Sequence, residues 1–137
     1  MNNYKKAKFL GYLLLFFIFN ATQAISEDVF ELEAKKVQYD NQKQAIIAEG
    51  NAYGKNQTNK KIFADKIIYF KSKGFIETYG NSKYDDGKNI LTAKNFKYDL
   101  KKKTLEAKLN VILTDIDKNK FYFNSFKYFE NQENGYG

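Results

Sequence analysis

The chain offers few side chains that could carry out catalysis. It contains no histidine and no cysteine, which removes the imidazole base, the thiol nucleophile and the ligands of a usual zinc site. Its carboxylates are scattered and form no cluster that would indicate a paired acid and base. The sequence therefore predicts a protein that is not an enzyme and that uses no cofactor or metal.

One acidic stretch imitates the opening of a calcium-binding loop. Asp115, Asp117 and Asn119 alternate as the first ligands of such a loop do. The sixth position is Lys120, where the loop requires glycine, and the twelfth is Phe126, where a glutamate should chelate the ion. We interpret the stretch as a polar turn.

The basic residues raise the question of nucleic-acid binding. All 23 are lysines, set against 16 acidic residues, for a net charge of +7. Aromatic side chains beside lysines could stack on bases. Arginine, which makes the commonest bidentate contact with a base, is absent. We predict no nucleic-acid partner and interpret most lysines as solvated turn residues.

The first 24 residues have the pattern of an export signal. Three lysines precede an apolar run from Phe9 to Phe19, and Thr22 to Ala24 supply small residues at the positions that determine cleavage. These eleven apolar residues span about 17 Å as a helix, against roughly 30 Å of bilayer hydrocarbon, which favours a signal peptide over a membrane anchor. We predict a signal peptide at residues 1–24 and a single mature domain at residues 25–137 without a transmembrane segment. Without its three lysines, 20 lysines face 16 acids, a net charge of +4.

A period of about 30 residues runs through the mature chain. Each of the first three copies begins with an alanine, which is followed three positions later by an apolar residue and five positions later by a tyrosine. The pairs are Ala34 with Tyr39, Ala64 with Tyr69 and Ala93 with Tyr98, and a degenerate fourth copy ends at Tyr128. A polar turn and a segment of alternating apolar and polar residues follow, which is typical of β-hairpins. The sequence predicts about seven short antiparallel strands joined by hairpins.

Two details of the repeat predict how the sheet bends. The alanine and the next apolar residue are three positions apart, so they share a face only if a bulge shifts the alternation between them; two separate short strands are the alternative. The second half of the first two copies contains Gly50-Asn51 and Gly80-Asn81, and the third has Leu109-Asn110. We predict that the glycines let the sheet curl, and that the third repeat, with leucine, closes more tightly or is flatter.

The repeat resembles the OstA-like domain of the lipopolysaccharide-transport family, which includes LptA, the periplasmic domain of LptC and the N-terminal domain of LptD. Three stretches carry the resemblance: Ala34 to Ala52, Ala64 to Ser82, and Ala93 to Val111. It implies an all-β fold, a twisted and incompletely closed β-jelly roll. It further implies a periplasmic transport module for outer-membrane assembly, whose apolar groove shelters the acyl chains of lipopolysaccharide and whose edge strands stack on other modules of the family.

For contact with the lipid we single out the inward apolar positions of the repeats. These are Val37, Ile46, Ile67, Ile76, Phe96 and Leu105. The same pattern would be selected for packing alone, so an ordinary core is the alternative. The tyrosines Tyr39, Tyr69 and Tyr98 are interpreted as edge packing or cross-strand pairs and not as ligands.

Two other interpretations of the whole chain stay open. Its tail, from Asn110 onward, resembles the place where translocon proteins of the family leave this domain for their barrel. The chain would then be an LptD-like N-terminal domain, shortened at its C-terminus, that docks the end of the bridge. In the second interpretation the chain is an exported β-repeat protein with a structural or adhesive role and a fully packed interior.

Overall fold

Nine strands account for most of the structure, a computed structural model that describes residues 28–130 and 134–137. The strands are β1 (Glu31–Glu33), β2 (Lys36–Asp40), β3 (Ala45–Lys55), β4 (Lys61–Phe70), β5 (Phe75–Asp85), β6 (Ile90–Asp99), β7 (Thr104–Thr114), β8 (Lys120–Phe129) and β9 (Asn134–Tyr136). The predicted signal peptide lies outside the described residues. In the part of the chain that is described, no helix is long and apolar enough to cross a membrane.

The strands form one antiparallel sheet in which neighbours in sequence are neighbours in space. β3 to β9 follow one another in order, and β1 and β2 both pair with β3 at the N-terminal edge. The sheet is twisted and does not close, so the predicted fold class, an all-β, twisted and incompletely closed jelly roll, is confirmed.

Aspartate side chains stabilise the turns within the first and third repeats, and the turn of the second repeat is closed by backbone hydrogen bonds to Phe70 O. Asp40 Oδ1 accepts hydrogen bonds from the backbone N–H groups of Gln42 and Lys43, each at 3.0 Å. Asp99 Oδ1 does the same for Lys101 and Lys102, at 3.1 and 2.9 Å. Such bonds from an aspartate to the next two or three residues stabilise a tight turn. The polar stretches predicted as turns are therefore turns.

The acidic stretch after β7 is also a turn. The carboxylate of Asp115 accepts hydrogen bonds from the backbone N–H of Asn119 at 2.8 Å and from its Nδ2 at 3.0 Å. Its oxygens are committed to closing the loop between β7 and β8, as expected from the poor match to a calcium loop.

A bulge lies opposite the predicted place in β4, β6 and β8, with its extra residue on the preceding strand. Gly50 and Asn51 of β3 stand opposite the single residue Asp65 of β4. The bulge changes the alternation of β4, so that Ala64 and Ile67, three residues apart, are both buried. The bulge, and not a break between two strands, explains the spacing in the second repeat. In the first repeat the alternative of two short strands holds, since β1 ends at Glu33 and β2 begins at Lys36.

The same backbone conformation recurs in the next two repeats. Gly50 and Gly80 have φ values of +84° and +73°, and Leu109 has +67°. The asparagine after each residue is also left-handed. The predicted difference of the third repeat is not seen in this backbone, because Leu109 takes up the conformation of the glycines.

One face of the sheet folds over to make the core. The cross-strand partner of Tyr84 is Leu91, which lies seven residues before Tyr98, or roughly 23 Å along a flat strand at about 3.3 Å per residue. The rings of Tyr84 and Tyr98 are nevertheless 5.8 Å apart between centroids. The sheet therefore curls until the two ends of its inner face meet, and the main cluster of buried residues lies between them.

Candidate functional site

A cavity of about 810 Å³ opens at one end of the roll, a size typical of ligand pockets. This is the end that carries the turns β2–β3, β4–β5 and β6–β7. The cavity wall contains an apolar and aromatic part, formed by Tyr39, Ile46, Tyr69, Gly74 and Leu100, and a polar part, formed by Asp28, Gln44, Lys71, Ser72, Lys101 and Lys103.

Three residues of the apolar wall, Tyr39, Ile46 and Tyr69, belong to one cross-strand row of the inner face. Directly paired residues of an antiparallel sheet lie on the same face. In strand order this row contains Tyr39, Ile46, Tyr69, Ile76, Tyr98, Leu105 and Tyr128. Along it the exposed fraction falls from 59% at Tyr39 to 3% at Tyr69. The cavity is therefore the open end of the core, and it opens beside edge strand β2.

Lysines surround the mouth of the cavity. Lys71 and Lys101 are exposed, and neither pairs with a carboxylate within residues 28–130 and 134–137. Lys103 forms an ion pair with Asp28 in the cavity wall. The mouth of the cavity is therefore positively charged, and it opens onto the apolar part of the cavity wall.

An ionic cluster extends from Asp28 and Lys103 in the cavity wall into the interior and joins distant parts of the chain. Lys60, from the β3–β4 turn, places its Nζ 3.2 Å from Asp28 Oδ2 and 2.6 Å from Glu130 Oε2. The hydroxyls of Tyr84 and Tyr98 donate hydrogen bonds to Glu130 Oε1. The ionic cluster therefore consists of Asp28, Lys60, Tyr84, Tyr98, Lys103 and Glu130.

The protonation states in the ionic cluster follow from burial and from the pairing. Burial by itself would raise the pKa of Asp28, but Lys103 and Lys60 outweigh it and hold that pKa below its ordinary value. Burial opposes the charge of Lys60, but Glu130 and Asp28 raise its pKa above the ordinary value. Burial, together with nearby charges, raises the pKa of Tyr84 and Tyr98. Asp28 and Lys60 are thus charged at neutral pH, and both tyrosines remain donors.

The six residues predicted to contact lipid do not lie in one place. Ile46 lines the cavity. The other buried members belong to the core cluster behind it and do not line the cavity: Ile67, Ile76, Phe96 and Leu105. Their contact with lipid stays a prediction.

Val37 differs from the other predicted residues because it lies on the inner face but is exposed. It pairs with buried Ala48 and so points toward the inner face. It is nevertheless 49% exposed, because β2 is an edge strand and none of the strands in residues 28–130 and 134–137 packs beyond it.

Sequence reasoning missed most of the cavity. Leu100 and Gly74 lie in turns, and Leu100 N donates a hydrogen bond to Gly74 O at 2.9 Å, which brings two repeats together. The lysines of these turns were interpreted as solvated, and the tyrosines as packing residues. The one available signal was the recurrence of lysine in the turns at a single end of the hairpins.

The described residues contain no group of three or more histidine, cysteine, aspartate or glutamate side chains placed to hold a metal ion. What the site presents instead is an apolar cavity with a cationic mouth. Such a surface is suited to binding an amphiphile.

Comparison with known proteins identifies the fold. No protein-family model matches the sequence, and no curated protein matches it significantly. Among solved structures the chain is similar to LptH of Pseudomonas aeruginosa, described as the LptA homologous periplasmic component of the conserved lipopolysaccharide transport device. The TM-score is 0.71 at 12% sequence identity, over 81% of this chain and 82% of that one. At this identity the likeness shows a shared fold.

Proposed function

We propose that this chain is a non-catalytic periplasmic module that binds lipopolysaccharide and takes part in its transport to the outer membrane. The observation that carries the proposal is the cavity at the open end of the roll. There the inner face of the sheet is accessible at Tyr39 and Ile46. The fold shared with LptH and the export pattern of the first 24 residues support it.

The acyl chains would enter the cavity along the row of Tyr39, Ile46 and Tyr69. Each Å² of apolar surface that they remove from water contributes about 25 cal/mol, so several hundred Å² would give a stable complex. The sugar headgroup would remain outside the mouth. No covalent step is involved, since binding and release suffice for transport.

The two edges of the sheet provide the contacts for assembly. At the N-terminal edge β2 has no neighbour on its outer side among the described strands, and at the other edge β9 pairs only with Lys127 to Phe129 of β8. The remaining part of the outer edge of β8, residues 120–126, has no partner among the described strands. Unpaired strand edges accept strands from other chains. In our proposal, modules of this kind stack through these edges.

Photo-crosslinking tests the lipid site. A photoreactive residue at Tyr39 or Ile46 should form an adduct with labelled lipopolysaccharide, because both side chains line the cavity. The matched control is Tyr122, which is 71% exposed but lies on the outer face, since it alternates with the inward Phe123. Equal labelling at Tyr122 and Ile46, or no labelling at either, would contradict the proposal.

A further inference from the structure

Asp28 occupies the wall of the cavity as a bound anion would. Its carboxylate accepts hydrogen bonds from Lys103 Nζ, from Lys60 Nζ at 3.2 Å and from Asn56 Nδ2 at 2.7 Å. Its side chain is only 9% exposed, although it precedes β1 and belongs to no strand. Three donors converge on one carboxylate beside an apolar wall, which is the arrangement that binds an anionic group.

The mouth of the cavity carries more positive charge than Asp28 neutralises. Lys71, Lys101 and Lys103 line it, and Asp28 is the only acid among the described residues that do so. The side chain of Lys101 lies across Gly74, where an added Cβ would come within 2.9 Å of its Cε. The three lysines therefore surround an opening that favours an anion.

If Asp28 leaves this position, the partly buried ammonium group of Lys60 still has other partners. Lys60 Nζ keeps Glu130 Oε2 at 2.6 Å and Tyr98 OH at 3.4 Å. Phe30, buried with its ring 6.0 Å from that of Tyr98, would hold β1 in place. Two groups lose Asp28 as a partner: Asn56 Nδ2, which is buried, and Lys103 Nζ. Lys103 lines the cavity and would then need another anion.

We propose that Asp28 is an internal substitute for the anionic headgroup of an amphiphilic ligand. When an acyl chain enters the cavity, a headgroup phosphate binds to Lys103, Lys71 and Lys101 and displaces Asp28. This inference rests on the proposed function and adds two features to it: the charge and position of the headgroup, and a coupling between ligand entry and release of Asp28.

The apolar wall decides between a lipid headgroup and free phosphate. Free phosphate must displace Asp28 by charge alone, whereas an amphiphile also gains from burying its chain against Ile46, Tyr69 and Leu100. The site should therefore select a phosphate joined to an acyl or alkyl chain.

Calorimetric titration with three probes tests the proposal. The probes are dodecyl phosphate, dodecyl maltoside and inorganic phosphate, with both detergents below their critical micelle concentrations. Asp28→Asn should bind dodecyl phosphate about tenfold more tightly than the unmodified chain. In the unmodified chain the ligand must first break the hydrogen bond between Lys103 and the charged carboxylate, which lowers the affinity by about a factor of ten. Lys103→Gln should weaken this binding by a similar factor, and neither change should alter the affinity for dodecyl maltoside.

The matched control is Lys97→Gln. Lys97 pairs with Glu77 at 3.9 Å and does not line the cavity, so its loss should leave all affinities unchanged. Equal affinity of Asp28→Asn and the unmodified chain for dodecyl phosphate would overturn the proposal, as would equally tight binding of inorganic phosphate. If dodecyl maltoside binds and the phosphate confers no advantage, the headgroup site fails while the lipid cavity stands. If neither detergent binds, the proposed function fails as well.

A measurement on the unmodified chain covers the case in which Asp28→Asn does not fold. The amide resonance of Val29 should shift on addition of dodecyl phosphate but not of dodecyl maltoside, and that of Phe30 should shift less. Identical shifts at Val29 with both detergents would contradict the release of Asp28.

Discussion

At the scale of single residues, the left-handed bulge positions explain the repeat. An L-amino acid in this conformation costs about 1–2 kcal/mol, which glycine avoids. Gly80 has a second reason to be glycine, because a Cβ there would lie 2.2 Å from Asp65 Oδ2. Asp65 Oδ2 also accepts a hydrogen bond from Asn81 Nδ2 at 2.9 Å. The sequence predicted that the sheet bends at the two glycines. It did not predict that Leu109 adopts the same left-handed conformation, because leucine seldom has a positive φ.

Reciprocal substitutions at the bulges should have opposite effects on stability. Leu109→Gly should raise the free energy of unfolding by up to about 1 kcal/mol, since relief of strain exceeds the added entropy of the unfolded chain. Gly80→Ala should lower it by about 1–2 kcal/mol, because strain and the contact with Asp65 add together. Urea unfolding measures both.

Gly87→Ala separates strain from steric contact. Gly87 has φ of +87°, and a Cβ there would meet nothing within 4 Å. Its substitution should therefore cost less than that of Gly80. An unchanged or lowered stability of Leu109→Gly would contradict the account of the third bulge.

At the scale of elements, hairpins and turns were predictable because their signals are local. Alternation of polar and apolar residues, and Asp40 and Asp99 at turn starts, specify strands and turns within a few residues. The division of the first strand into β1 and β2 was the alternative that the sequence left open, and the short pairing of β9 was not predicted. Both occur at edges, where only one neighbouring strand selects the conformation.

The open edge of β8 leads to a prediction about association. Tyr122→Lys should weaken self-association or binding to a related module, because a lysine on an exposed edge disfavours strand pairing. Sedimentation over a range of concentrations measures the effect. Tyr79→Lys is the control, since Tyr79 is also exposed but lies on the central strand β5. A chain that stays monomeric at high concentration and binds no related module would contradict the stacking proposal.

At the scale of the whole molecule, the curl of the sheet determines the site. It brings Asp28, Lys60, Lys103 and Glu130 into one ionic cluster, although no periodicity relates these positions. It also buries Ile67, Ile76, Phe96 and Leu105 in the core and leaves the cavity at one end. Alternation identifies the inner face of the sheet, but it does not specify which part of that face stays uncovered.

The central claim is that acyl chains of lipopolysaccharide enter this cavity, and fluorescence tests it most directly. The chain contains no tryptophan, so Ile46→Trp places a single tryptophan in the cavity wall and Tyr122→Trp places one on the outer face; excitation at the red edge of indole absorption avoids the tyrosines. Addition of lipopolysaccharide should shift the emission of Ile46→Trp to shorter wavelength, because acyl chains replace water around the indole, and should leave that of Tyr122→Trp unchanged. Unchanged emission from Ile46→Trp at saturating lipopolysaccharide, or equal shifts in both variants, would contradict the account.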